Sequence, residues 1–503
     1  MIDASLIPAL LIVIPILGAV APLILGLRFK DVGWTIATVV SGIVLLGAVW
    51  VAITVYGGNG PVVHAVGGFE PPIGIELRGD RFSAGIALLV AGVSFGMLAY
   101  TRIGGPRGNT FYAGYLLLLG GLMGVTLTGD VFNLFVFLEI TGIATYALVA
   151  RGRGGGAAVA ALKYLILGTL GASLYLIGVG FLFLSTGHLN MIYLGDALAT
   201  LGYDDPLVRA SFVFVVVGFA IKVAQWPVHT WQPDAYQRAP DGVTPLIAAL
   251  VSTVSAYALG RVLYTVYRPE FLISTAYASE LLLTIGTVSI VAGSVLAVMQ
   301  WDIKRMLAYS SVSHFGMIVA AYGLVNETAL LGAMVHLIGH GLMKVGLFVG
   351  VGVIAMAIGV RTIDEYGGLA KERPFVAGSI AIIGLALVGI PPSIGFIGKW
   401  YIGIGAVDAA VWPVAAVIFL STMLTLAYVA KLGERMYFQE GTGPSHRVST
   451  QPLLADGGTY MGRRPSIGMR GVLIVVAVVS VALGFAGAGF DSTFGPFVEE
   501  VFT

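Results

Sequence analysis

The chain contains no cysteine. That excludes disulfides, thiolate metal sites and covalent thiol chemistry. It is also poor in charge. Lys and Arg number 27 and Asp and Glu 26, together 11% of 503 residues, where soluble domains carry about 25%. No phosphate loop, no dinucleotide fingerprint on a strand–helix turn and no haem or iron–sulfur pattern occurs. The chain therefore shows no means of using ATP or carrying electrons, and no cofactor is expected. Any work must come from an ion gradient or from a partner. The net charge of +1 says nothing of nucleic acid, and none is expected as a partner.

What is present is apolar. Hydrophobic residues make up 57% of the chain and the mean hydropathy is +0.94. Only an all-α polytopic membrane protein fits. The 70 glycines agree, because small residues let membrane helices approach closely. About fourteen transmembrane helices of roughly 20 residues each are predicted. Their centres lie near Gly18, Ile43, Leu89, Leu119, Phe137, Ser173, Val217, Ser255, Ile290, Val312, Leu342, Leu385, Phe419 and Val479. The first run, 6–27, has no small-residue cleavage site after it and reads as a span. With the N-terminus outside, the inner loops hold most of the Lys and Arg, and the outer loops hold Arg78, Arg81, Arg209 and Arg268. The positive-inside rule then places both termini outside a cell membrane. Two stretches look extramembrane: an outer β-hairpin over 61–79 and an inner Gly/Ser/Pro/Arg loop over 440–469.

Two spans are interrupted. In span seven, Gly218-Phe-Ala-Ile-Lys222-Val-Ala-Gln-Trp-Pro227-Val-His229 sets a lysine in an apolar helix. A lysine in hydrocarbon costs roughly 2.5–3.5 kcal/mol on insertion scales, and Pro227 is expected to break the helix about one turn later. In span twelve the break is Gly389-Ile-Pro391-Pro392-Ser-Ile-Gly395-Phe396, followed by Lys399. The two spans lie five apart, so they run in opposite directions. Paired broken helices in inverted halves point to a transport site.

Titratable groups inside other spans extend this reading. Glu139 in span five has apolar neighbours. A lone buried carboxylate stays protonated, whereas a lysine partner lets both ionise, and Lys222 is the natural partner. Such a pair can be an electrostatic switch or a static structural bridge. His336, His340 and Lys344 are spaced four apart on one face of span eleven. Histidine can relay a proton. No His-Glu-x-x-His occurs, and no metal is expected. Lys399 either ends a relay or reaches the surface, and Lys163 in span six has the same two readings. His229 and Asp234 sit where a watery entry can form. Asp302-Ile-Lys304-Arg305 reads as an inner positive anchor, and His314 in span ten is a weaker relay candidate.

Four motifs now carry a resemblance: Ala220-Ile-Lys-Val-Ala-Gln225-Trp-Pro-Val-His229, Asp302-Ile-Lys-Arg-Met-Leu-Ala-Tyr-Ser-Ser, His336-x-x-x-His340-x-x-x-Lys344, and Pro391-Pro-x-x-Gly-Phe396-x-x-Lys399. They resemble the proton-translocating antiporter-like family. That family includes the A-type and D-type subunits of Mrp Na+/H+ antiporters, the antiporter-like subunits of respiratory complex I, and relatives in membrane-bound hydrogenases. Length and the lack of a long C-terminal extension look most like the D-type Mrp subunits. The resemblance implies two inverted five-helix repeats, spans four to eight and nine to thirteen, with helices seven and twelve discontinuous. The expected units are 1–110, 111–270, 271–440 and 441–503. It implies Glu139 and Lys222 as a pair, His336 or His340 as relay and Lys399 as terminal group. Its partners would be other membrane subunits, protons, Na+ and the lipid bilayer. Its work would be proton movement coupled to cation efflux, or, in the redox relatives, proton pumping. One departure stands out: where many members carry a titratable group in span eight, this chain has Thr253.

Overall fold

The computed structural model describes residues 4–440, 454–455, 459–460 and 465–503. In hydrocarbon a backbone N–H or C=O finds no water, so a crossing segment must satisfy its own hydrogen bonds. Helices do this, and the chain is built of them. Among the described residues, eleven are long and apolar enough to cross a membrane. All fourteen predicted centres fall inside helices. The three outside the eleven have visible reasons. Spans seven and twelve are each cut into short pieces, Pro206–Lys222 with Trp231–Arg238, and Pro374–Val388 with Ile394–Asp408. Span ten, Ile303–Gly323, opens on Lys304 and Arg305 and is rich in serine.

Spans eight (Thr244–Ser274), ten and eleven (Glu327–Ile358) lie deepest, while spans one, thirteen and fourteen leave most of their surface at the rim. Glycine allows the tightest crossings. A Cβ on Gly218 of span seven would lie 2.6 Å from the Gly171 carbonyl of span six (Gly154–Thr186). A Cβ on Gly286 of span nine (Ala278–Val298) would lie 2.6 Å from the Gly316 carbonyl of span ten.

The hairpin forms as expected. Strand β1, Val62–Ala65, pairs antiparallel with β2, Glu76–Gly79, with Val62 opposite Gly79. Bridges Leu77–Thr128 and Asp130–Asn190 place the ends of neighbouring spans beside it. We call this the hairpin side. The predicted loop 440–469 lies mostly outside the described residues.

Three expectations need correction. The boundaries at 110 and 270 fall inside helices, since span four begins at Asn109 and the helix Arg268–Ser274 continues span eight. Hydropathy locates centres better than ends. Two helices were not foreseen, Met191–Leu201 and Gly487–Phe502. Both are short and amphipathic, and they follow spans whose apolar signal masked them. Finally, Asp302-Ile-Lys304-Arg305 is no surface anchor. Asp302 caps span ten by accepting from the Arg305 N–H at 2.8 Å. Lys304 is buried and donates to the Ala239 carbonyl at 2.7 Å and to Asp241 at 3.3 Å. Arg361 donates to both Asp241 oxygens, at 3.1 and 3.0 Å. Asp241 thus ties the loop after span seven to spans ten and eleven.

Burial works to raise the Asp241 carboxyl, but Lys304 and Arg361 outweigh it and hold the group below the ordinary range. Asp241→Asn removes the charge that Lys304 and Arg361 share. We expect a loss of about 3 kcal/mol or more, as for other broken buried pairs, read as a lower Tm of the purified protein. A depressed carboxyl contributes fully above its unfolded value and loses that contribution in acid. The Tm gap between wild type and variant should therefore hold from neutral pH downward and close only below about pH 4.

Candidate functional site

Span seven breaks earlier than proline alone dictates. Its first helix ends at Lys222, and Ala224 takes a positive φ of 58°. Pro227 lies further on, and a 3-10 turn, Val228–Thr230, leads into Trp231–Arg238. The exposed end is capped from within. The Trp231 indole N–H donates to the Ile221 carbonyl at 2.8 Å, and its ring stacks on Tyr164 with centroids 4.0 Å apart. The lysine is thereby fixed at the last turn of a half-helix, where a cation is favoured.

The predicted pair exists. Lys222 Nζ donates to Glu139 Oε1 at 3.2 Å. The lysine is buried, and the Glu139 side chain is 22% exposed. Lys163 is held by a carboxylate while part of its side chain stays exposed. It donates to Asp234 at 2.7 Å, and Arg305 donates to the same carboxylate at 2.8 Å. His229 lies buried beside Tyr309, with ring centroids 5.9 Å apart.

The second half gathers histidine. His314 Nδ1 and His336 Nε2 share a hydrogen bond of 2.9 Å, and the two rings are nearly parallel. The His340 ring lies 5.8 Å from that of His314 and 4.4 Å from Phe315. All three are fully buried. Lys344 donates to the Leu307 carbonyl at 2.9 Å and to the Ser310 hydroxyl. Lys399 does not extend to the surface. It donates to the carbonyls of Leu387 and Val388, at 3.1 and 2.9 Å, which end the first half of span twelve. The second half of that span begins at Ile394, past Pro391 and Pro392. Gly395 is required there, because a Cβ would lie 1.9 Å from the Ala386 carbonyl.

No direct bond joins the Glu139–Lys222 pair to the histidines among the described residues. Between them in sequence lie buried side-chain atoms with no protein partner: both amide atoms of Gln225, His229 Nδ1, Gln232 Oε1 and Thr253 Oγ1. The three histidines add His314 Nε2, His336 Nδ1 and both nitrogens of His340. Sequence reasoning did not assign Gln225 and Gln232 a role. The signal was available, since amides in an otherwise apolar span are costly unless they line a polar path. It also missed Arg261 in span eight, which the same rule would have flagged.

The family described as "NADH:quinone oxidoreductase/Mrp antiporter, TM" matches residues 128–425, the region that holds every group above. The chain belongs to this family. It is 39% identical over 450 residues to the N-type subunit of the NADH-quinone oxidoreductase of Desulforudis audaxviator, covering 88% of each chain. It is 29% identical over 450 residues to the D-type subunit of the Na(+)/H(+) antiporter of Bacillus subtilis, covering 87% of this chain and 89% of that one. Among solved structures it is similar to a chain of the membrane-bound sulfane sulfur reductase, an archaeal respiratory membrane complex. There the TM-score is 0.89 at 29% identity, over 98% of this chain and 97% of that one. The protein is a multi-pass, antiporter-like membrane subunit of the Mrp and complex I-like kind.

Span twelve can be tested by packing alone. A Cβ on Gly398 would meet His336 Cβ and Nδ1 at 2.8 Å, while Gly403 on the same helix has nothing within 4 Å. Gly398→Ala should cost about 1–3 kcal/mol through overpacking. Gly403→Ala should be neutral or gain up to about 1 kcal/mol in helix propensity. Thermal unfolding of both variants checks the contrast.

Proposed function

We propose that the chain moves protons across the membrane through Glu139, Lys222, His336, His340 and Lys399. The observation that carries this reading is the Glu139–Lys222 contact of 3.2 Å at the end of a half-helix. While the pair is closed, the lysine keeps its proton at little cost. When it opens, an unpaired ammonium in an apolar span is expensive, and the proton passes on. His314, Lys344 and Thr253 act beside the relay, and Lys163, His229 and Asp234 form its entry. The unpartnered atoms of Gln225, Gln232 and Thr253 support continuity, because buried polar atoms need a partner and bridging water supplies one.

Spans four to eight and nine to thirteen act as inverted halves, each with one broken helix and one lysine beside its break. The hairpin side faces out of the cell membrane, with both termini there. The chain works in a larger assembly. Our leading reading is an Mrp-type Na+/H+ antiporter, with sodium exit coupled through partner subunits; the Bacillus subtilis relative favours it. The Desulforudis relative favours a second reading, a proton-pumping subunit of a redox complex.

Vesicles holding the whole assembly separate the two. A pH gradient that requires Na+ supports the first, and one that requires an electron donor and quinone supports the second. In either case Lys222→Ala and Glu139→Gln should abolish the gradient while the assembly stays intact by size-exclusion chromatography. Normal gradients in both variants would remove the pair from the mechanism.

A further inference from the structure

On the hairpin side a charged cavity of about 580 Å³ opens between β2, span eight and the C-terminal helix. Its wall includes Glu76, Asp80, Arg261, Arg268, Glu270 and Glu500. The floor is a buried ion pair. Arg261 Nη2 donates to both Asp80 oxygens at 2.6 Å. Asp80 also caps span three, accepting from the N–H groups of Phe82 and Ser83. The rings of Phe82, Tyr257 and Phe497 surround the guanidinium, with centroids 5.3–5.9 Å away.

What lies beneath this floor gives it a use. Arg261, Tyr257 and Thr253 follow one another at intervals of four on one face of span eight, roughly 12 Å along the helix. Arg261 donates to the Tyr257 hydroxyl at 3.3 Å, and that hydroxyl donates to the Thr126 carbonyl at 2.8 Å. One turn deeper, Thr253 Oγ1 is fully buried and has no protein partner. Polar groups thus run from the cavity to the position where the sequence lacks a titratable side chain.

We propose that this cavity is the hairpin-side aqueous mouth of the first half, and that the Asp80–Arg261 pair is its gate. Closed, the pair and its three rings separate the cavity from Thr253. Open, water joins the cavity to Thr253, and a proton reaching that water leaves by the hairpin side. The departure at Thr253 then has a physical reading: hydroxyl and water replace a titratable side chain where the path turns outward. The purpose of the mouth rests on the proton-translocation reading, but its access route is measured separately.

The absence of cysteine makes the test clean. Thr253→Cys, near-isosteric, is placed in the otherwise thiol-free chain within the whole assembly, with and without Asp80→Asn. Asparagine caps a helix as well as aspartate, so span three keeps its start. A membrane-impermeant methanethiosulfonate with a fixed charge, the ethyltrimethylammonium reagent, is added from one side at a time. Arg268→Cys, at the cavity rim, marks the hairpin side and reports folding. We expect Thr253→Cys to label from the hairpin side only, and at least about tenfold faster with Asp80→Asn, since breaking a buried pair outweighs the energy of a tenfold shift. Where Asp80→Asn fails to assemble, Arg261→Lys, which keeps the charge and loses the fork, takes its place with the same expectation. Labelling from the opposite side, labelling from both sides, or a rate that neither variant raises would overturn the proposal. Labelling as expected alongside normal proton gradients in Lys222→Ala would keep the mouth and defeat the relay reading.

Discussion

A helix that stops inside a bilayer leaves its last carbonyls without partners, and hydrocarbon offers none. This chain stops two helices there, and the site follows from how each end is satisfied. In span twelve the ammonium of Lys399 takes the carbonyls of Leu387 and Val388. In span seven the indole of Trp231 takes the carbonyl of Ile221, which leaves Lys222 free to reach across to Glu139. Each break therefore holds a lysine in a defined place, and each lysine lowers the cost of the break beside it. Removing either partner exposes the other to the full penalty of burial.

The two halves solve this problem differently. In the first, cations meet carboxylates: Lys222 meets Glu139, and Asp234 takes Lys163 together with Arg305 from span ten. In the second, Lys344 and Lys399 rest on carbonyls and a hydroxyl, with no ion pair to a carboxylate among the described residues. Neutral acceptors hold an ammonium less firmly than a carboxylate does. The first half thus holds its ammonium groups more firmly than the second, where His314 and His336 stack beside the lysines. Glycines at the crossings keep these groups close, since a Cβ on Gly398 or Gly395 would push the half-helix bearing Lys399 away.

Much of the site could be read from residues alone. Lys222, Glu139 and the span-eleven histidines stood out because charge and imidazole are costly in apolar runs. The hairpin showed through its flanking glycines and prolines. Other features could not be seen. Pro227 marked a break in span seven, but the helix ends five residues sooner, at Lys222. Arg261 and Asp80 lie 181 residues apart and meet only in the fold. Lys304 and Arg305, adjacent in sequence, go to different carboxylates, Asp241 and Asp234. Alternate directions around a helix send neighbours to separate partners, and no local pattern names those partners.

The sequence by itself determined the membrane class, the helical character, the two interruptions and which titratable groups lie among apolar residues. Hydropathy, proline and isolated charge act locally, so they are written in the order of residues. The tertiary structure decided who pairs with whom: Lys163 with Asp234, Lys399 with its own half-helix, and His314 with His336. It also decided where the charged cavity opens. Those outcomes depend on how helices cross, and the crossings are set by contacts between segments that the chain brings together only on folding.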